Sequence, residues 1–179
     1  ACCLFIVLYV QDELLFDRYH ERADRIYRVV EARNQGDENW HEASTSALMG
    51  PALVSDLPEV TDAVRMWSGW RLTVKKGDTG IIVRNYSFSD PGLFRIFDFE
   101  VLGGDPAAAL ERPDGVVLTE TIARQLFGNE DPVGKPLEIE AEDFPEFAEG
   151  GYEVGAVIRD LPHNTHLDFD MLMAVSTLY

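Results

Sequence analysis

Ten apolar residues, Ala1 to Val10, open the chain and stop at Gln11-Asp12-Glu13, after which Phe16 to Val30 mixes charges with aromatic and branched side chains. A helix of that length rises only about 15 Å, roughly half the hydrocarbon thickness of a bilayer. The run cannot span a membrane alone, and its pattern fits equally the end of a longer membrane helix and an ordinary buried segment. It lacks the basic start and small-residue cleavage site of a signal peptide. Downstream, Arg25 to Glu31 is rich in Ile, Tyr and Val and predicts a first strand. Ser44-Thr45-Ser46 supplies capping side chains for a helix over 46–57, in which Met49, Leu53 and Leu57 recur at helical spacing before Pro58. Ala63 to Trp67 is then the strand expected to complete a β-α-β unit.

Leu72 to Val83 divides around Gly77-Asp78-Thr79-Gly80 and predicts a hairpin, since glycine admits the positive φ of tight turns. Asn85 to Ser89 extends the sheet. Asp90-Pro91 starts a short helix carrying Leu93, Phe94 and Phe97, and Gly103-Gly104-Asp105-Pro106 closes that unit. Val116 to Leu118 reads as a brief strand, followed by a helix capped by Thr119, faced by Ile122, Ala123, Leu126 and Phe127, and ended by Gly128. Lys135 to Glu140 alternates as a half-solvated strand, 141–151 reads as an acidic exposed loop, and Tyr152 to Arg159 as a further strand. Leu167 to Met173 again alternates as a strand, with Asp168 and Asp170 on one face.

Length and composition narrow the classes. The 179 residues suffice for one domain or two small lobes, and 46% hydrophobic content argues against disorder. A net charge of -17 disfavours nucleic-acid binding, because the surface field repels phosphates. The shortage of Lys and Arg fits the non-cytoplasmic side of a membrane only loosely. Cys2 and Cys3 are adjacent in the apolar run, so the body has neither a disulfide framework nor a cysteine metal site.

Little in the chain carries chemistry. Gly128 to Lys135 imitates a phosphate loop, but five residues separate its glycines and Pro136 replaces the hydroxyl that would hold magnesium. A helix end and turn explain it better. His163, His166, Asp168 and Asp170 could ligate a metal, yet nothing in their spacing fixes a cage, and turn polarity accounts for them. His20-Glu21-Arg22-Ala23-Asp24 lacks the second histidine of a zinc-protease helix and suits a solvated linker. Trp67, Ser68, Gly69, Trp70 and Arg71 form an aromatic cluster whose simplest role is core packing, an exposed partner surface being the alternative. No catalytic, cofactor-binding or metal-binding residue is assigned.

Four stretches resemble one family. They are Tyr9 to His20 with Ala23 to Arg28; Phe94 to Phe99 with Leu102 and Gly104-Asp105-Pro106; Val117 to Glu120 with Leu126-Phe127-Gly128 and Asp131 to Lys135; and Val157 to Pro162 with Asn164, His166 and Phe169. Together they are similar to the MacB-like periplasmic core domain of MacB/FtsX-type ABC transporter permeases. The resemblance implies an α+β fold: a Porter-like lobe of β-α-β units with a second, smaller mixed α/β lobe, preceded by the end of a transmembrane helix. It divides the chain into 1–20, helix end and stalk, and 21–179, the core domain, which in the family continues past the position matching Tyr179. It implies a non-catalytic domain on the periplasmic side of the bacterial inner membrane that transmits ATP-driven conformational change. The partners implied are a cytoplasmic ABC ATPase, a second permease copy and a periplasmic partner protein, with no cofactor. An extracytoplasmic ligand-binding sensor is the alternative, and it would need a pocket with converging polar groups.

Overall fold

The computed structural model describes residues 2–35, 38–141 and 151–178. The chain begins with α1 (Cys2–Leu14). Leu4 to Val10 are all exposed, so the apolar run stands off the body instead of filling its core. No helix among the described residues is long and apolar enough to cross a membrane.

The strand expected at Arg25 to Glu31 does not form. A 3-10 turn occupies Ala23–Arg25, an extended stretch follows, and β1 (Glu31–Gln35) begins where that strand was to end. β1 pairs antiparallel with β2 (Glu38–Glu42) in a separate hairpin, so the β-α-β unit expected across 25–67 is absent. The helix expected over 46–57 is present as α2 (Met49–Asp56), but none of its residues is buried. Helical periodicity identified the element and overstated its burial.

The remaining elements build one mixed sheet. β3 (Met66–Gly69), the hairpin β4 (Leu72–Lys76) and β5 (Thr79–Val83), and β6 (Tyr86–Ser89) come first. α3 (Leu93–Ile96), β7 (Val101–Gly104) and α4 (Pro106–Glu111) follow. Then come β8 (Gly115–Thr119), α5 (Glu120–Phe127), β9 (Pro136–Glu140), β10 (Gly151–Ile158) and β11 (Met171–Ala174). Among the described residues the strand order is β3-β6-β11-β8-β10-β9-β4-β5, with β7 also on β10. β8 and β10 run parallel across α5, and β6 runs parallel to β11; the other neighbours are antiparallel. The α+β class expected from the sequence is the class observed.

Both faces of the central strands are covered, which is why β6, β8 and β11 are buried throughout. Period two sends Val116, Leu118, Met171 and Met173 to one core under Ile122, Leu126 and Phe127 of α5. It sends Val117 and Leu172 to the other, under Leu93 of α3 and Ala109 and Leu110 of α4. β9 carries Leu137 and Ile139 inward and its glutamates outward, as its alternation predicts. By contrast, Leu167 to Asp170 do not join β11, and Leu172 faces a second core instead of water.

α4 is an element that the punctuation reading of Gly103 to Pro106 missed. Asp105 is its cap, its Oδ1 accepting from the Ala108 N–H at 3.0 Å, and Pro106 supplies the first helical φ. α4 lies so close to the sheet that a methyl on Gly155 would overlap the Ala109 side chain. α5 ends at Gly128, whose φ of 63° is the left-handed conformation glycine takes without strain. Its expected cap, Thr119, makes no capping bond. Asp160 does so, accepting from the Thr121 N–H at 2.9 Å and from Thr121 Oγ1 at 2.6 Å.

Trp67 and Trp70 depart from the core packing expected of them. Trp70 is 75% exposed, and Trp67, on the edge strand β3, is 41% exposed while stacking on Phe88 at 5.3 Å. A strand paired on one side has too little cover for an indole. Residues 142–150 of the expected acidic loop lie outside the described residues.

Candidate functional site at the joint between helix and domain

α1 does not trail off through a solvated linker. Residues 15–22 are tied to two loops of the body, one around residues 95–98 and one at 163–166. Asp17 makes the first tie, with a φ of 56° that aspartate accepts more readily than most residues. Its N–H donates to the Asn164 carbonyl at 2.9 Å. Its Oδ1 accepts from the Thr165 hydroxyl at 2.8 Å and the His166 N–H at 2.9 Å, and its Oδ2 lies 2.5 Å from His166 Nδ1. Asn164 Nδ2 donates to the Leu15 carbonyl at 3.2 Å. Burial pushes the Asp17 carboxyl upward, but the bonds from His166 and Thr165 outweigh it and hold the group below its ordinary 3.8.

His20 makes the second tie. The ring is 3% exposed, packed on Tyr19 at 3.9 Å and edge-on to Phe97 at 5.1 Å. Its Nδ1 accepts from the Asp98 N–H at 3.0 Å, which assigns the neutral ring's proton to Nε2. That Nε2 is buried and has no hydrogen-bond partner. Asp98 is itself held, its Oδ2 accepting from the Glu21 N–H at 2.8 Å, and the Arg22 guanidinium donates to the Arg95 carbonyl. Burial lowers the His20 pKa below its ordinary 6.5, against the pull of the Asp98 and Asp17 carboxylates.

The segment His20 to Asp24, expected to be a solvated linker, therefore includes a buried anchor. The sequence showed charges alternating around a single histidine, and no pattern along the chain pairs that histidine with an N–H 78 positions away. The candidate ligands near the other end separate. His166 turns to Asp17, and Asp168 accepts from Asn85 Nδ2 at 3.0 Å. Asp170 is held above its ordinary 3.8 by burial and by Asp168 and Asp160. Among the described residues no three His, Cys, Asp or Glu side chains gather as a metal site. One open groove of about 390 Å³ runs between β7 and α5, lined by Leu102, Ala123 and Val133. Its facing Glu120 and Arg124 are engaged with one another at 2.6 Å.

No curated protein sequence matches the chain. Among solved structures, a domain assigned to a permease protein from Porphyromonas gingivalis superposes with a TM-score of 0.66 at 23% identity, covering 82% of this chain and 60% of its own. The extracellular domain of the noncanonic ABC-type transporter YknZ from Gram-positive bacteria gives 0.48 at 16% identity, covering 64% and 55%. The periplasmic region of MacB from Actinobacillus actinomycetemcomitans gives 0.45 at 19%, covering 65% and 50%. This chain thus spans 60% of the Porphyromonas domain. The family model of the MacB-like periplasmic core domain matches residues 1–179, and the chain belongs to that family.

Proposed function

We propose that this domain passes motion between the membrane part of an ABC permease and the periplasm and catalyses no reaction itself. In this proposal residues 1–20 are the outer end of the first membrane helix and its stalk, and 21–179 the periplasmic core domain. The permease resides in the bacterial inner membrane as a dimer, driven by a separate cytoplasmic ATPase, with a periplasmic partner protein as the receiver.

The observation that carries the proposal is the double tie of the segment after α1. Hydrogen bonds fix it to two loops of the body, and the first of these leads through Phe97 and Phe99 into the α3/α4 core that holds Phe169. A helix held at two points turns its own tilt or rotation into displacement of the domain, whereas a flexible tether would absorb it. The exposed apolar surface of α1, from Leu4 to Val10, suits a lipid or helix environment.

Inserting flexible Gly/Ser residues between Leu15 and Asp24 of the complete transporter tests this. Transport should be lost while the ATPase still binds nucleotide. Transport at the unaltered rate would overturn the proposal.

A further inference from the structure

The two ties of the joint differ in how they depend on protons. The His20 tie exists only with a neutral ring, because its Nδ1 must keep a lone pair for the Asp98 N–H 3.0 Å away. Adding a proton there sets one N–H against another. The imidazolium would sit among Tyr19, Phe97 and Phe99, with a buried Nε2 that has no acceptor. The charged groups that face it are Asp98, from the segment after α3, and Asp17, from its own segment. Neither serves it well: Asp98 Oδ2 is 3.9 Å from Nδ1 and already accepts the Glu21 N–H, and Asp17 is committed to loop 163–166.

The Asp17 tie behaves otherwise. Thr165 Oγ1 and the His166 N–H donate to it whatever the charge on the His166 ring. The His166 ring, its Nδ1 2.5 Å from Asp17 Oδ2, is a further contact on the same carboxylate and takes nothing from those two bonds.

We infer that the joint is a proton-operated clasp, in which mild acid opens the His20–Asp98 half and leaves the Asp17–His166 half closed. The segment would then keep to the loop at 95–98 only the two bonds that do not involve the ring, Glu21 N–H to Asp98 Oδ2 and the Arg22 guanidinium to the Arg95 carbonyl, while the tie to loop 163–166 stays whole. This adds a regulator to the joint proposed above and rests on that proposal for its consequence in transport. Its test does not.

Amide hydrogen exchange of the 179-residue chain in detergent micelles, compared by NMR at about pH 7.5 and about pH 5, reads each half separately. After correction for intrinsic exchange, protection of the Asp98 amide should fall by about tenfold on acidification, while the His166 amide keeps its protection to within about twofold. In His20→Asn, whose amide does not titrate, Asp98 protection should be independent of pH. Asp98 protection that does not change in the wild-type chain, that falls as much in His20→Asn, or that falls together with that of His166 overturns the clasp. The ring ¹⁵N shifts of wild-type His20 give a readout without substitution. The inference requires the Nε2-protonated neutral form and a midpoint below 6.5; the other tautomer or a higher midpoint sinks it. These readouts concern the domain alone, so their outcome is independent of the insertion experiment in the transporter.

Discussion

Asp17, three residues past the end of α1, holds His166 from both sides: one carboxylate oxygen takes its N–H at 2.9 Å and the other its ring nitrogen at 2.5 Å. The pair lies 149 positions apart in sequence, so it closes the joint only once the fold has brought loop 163–166 to the segment that follows the helix.

Asp17→Ala should open that contact, removing the acceptor of three bonds and placing alanine at a φ of 56°. The expected loss in local opening free energy is about 1–2 kcal/mol, read as exchange protection of the His166 amide. Asp17→Asn keeps an acceptor and tolerates the backbone, so it should lose clearly less. Equal losses in the two variants would show that the carbonyl geometry at Asp17 is irrelevant.

Asp160 caps α5 in place of the Thr119 expected from the sequence, and a pair of substitutions separates the two residues. Thr119 Oγ1 is buried without a partner, so Thr119→Val should be neutral or slightly stabilising in urea denaturation. Asp160→Ala removes the cap of α5 and should cost about 1 kcal/mol. The reverse ranking would return the cap to Thr119.

Gly155→Ala should drive α4 away from the sheet, because its methyl overlaps Ala109, and overpacking of this kind costs about 1–3 kcal/mol. Ala109→Gly in the same chain should recover part of the loss, apart from its own helix cost of about 1 kcal/mol. Absence of any recovery in this double-mutant cycle counts against the contact.

Acid sensitivity follows from the carboxylates at the ion pairs and turns. In Asp90, burial raises the pKa, but the bidentate Arg65 guanidinium outweighs it; in Asp62 the Arg95 bond leads. Both are held below 3.8 when folded, so their contribution is complete above that pH and disappears as pH falls through the folded values. Unfolding free energy measured in urea should therefore decline as pH drops below about 4, and Asp90→Asn should make that decline shallower. An unchanged slope would mean that Asp90 titrates alike in the folded and unfolded chains.

Local pattern was most legible where one element meets one core. The α5 face Ile122, Ala123, Leu126 and Phe127 was readable because helical period and terminating glycine coincide. The β4–β5 hairpin and the half-solvated β9 were readable because turn glycines and strict alternation need no partner to be recognised. Burial was less so. Met49 and Leu57 share a helical face yet stay exposed, and Trp67 and Trp70 look outward from an edge, because burial depends on what lies opposite. β11 was blurred for the opposite reason: with both faces covered, its alternation carries no polar side.

The chain by itself determined the family, the α+β class, the apolar run at its start, though not that this run projects as α1, and much of the punctuation of the sheet, since these are written in patterns along the sequence. Only the tertiary structure decided that Asp17 meets His166, that His20 is buried against Asp98, and that Asp160 caps α5. Each of these bonds joins groups tens of residues or more apart, and a hydrogen bond between them has no periodicity to announce it. It exists only after burial of the two cores has fixed where the loops lie.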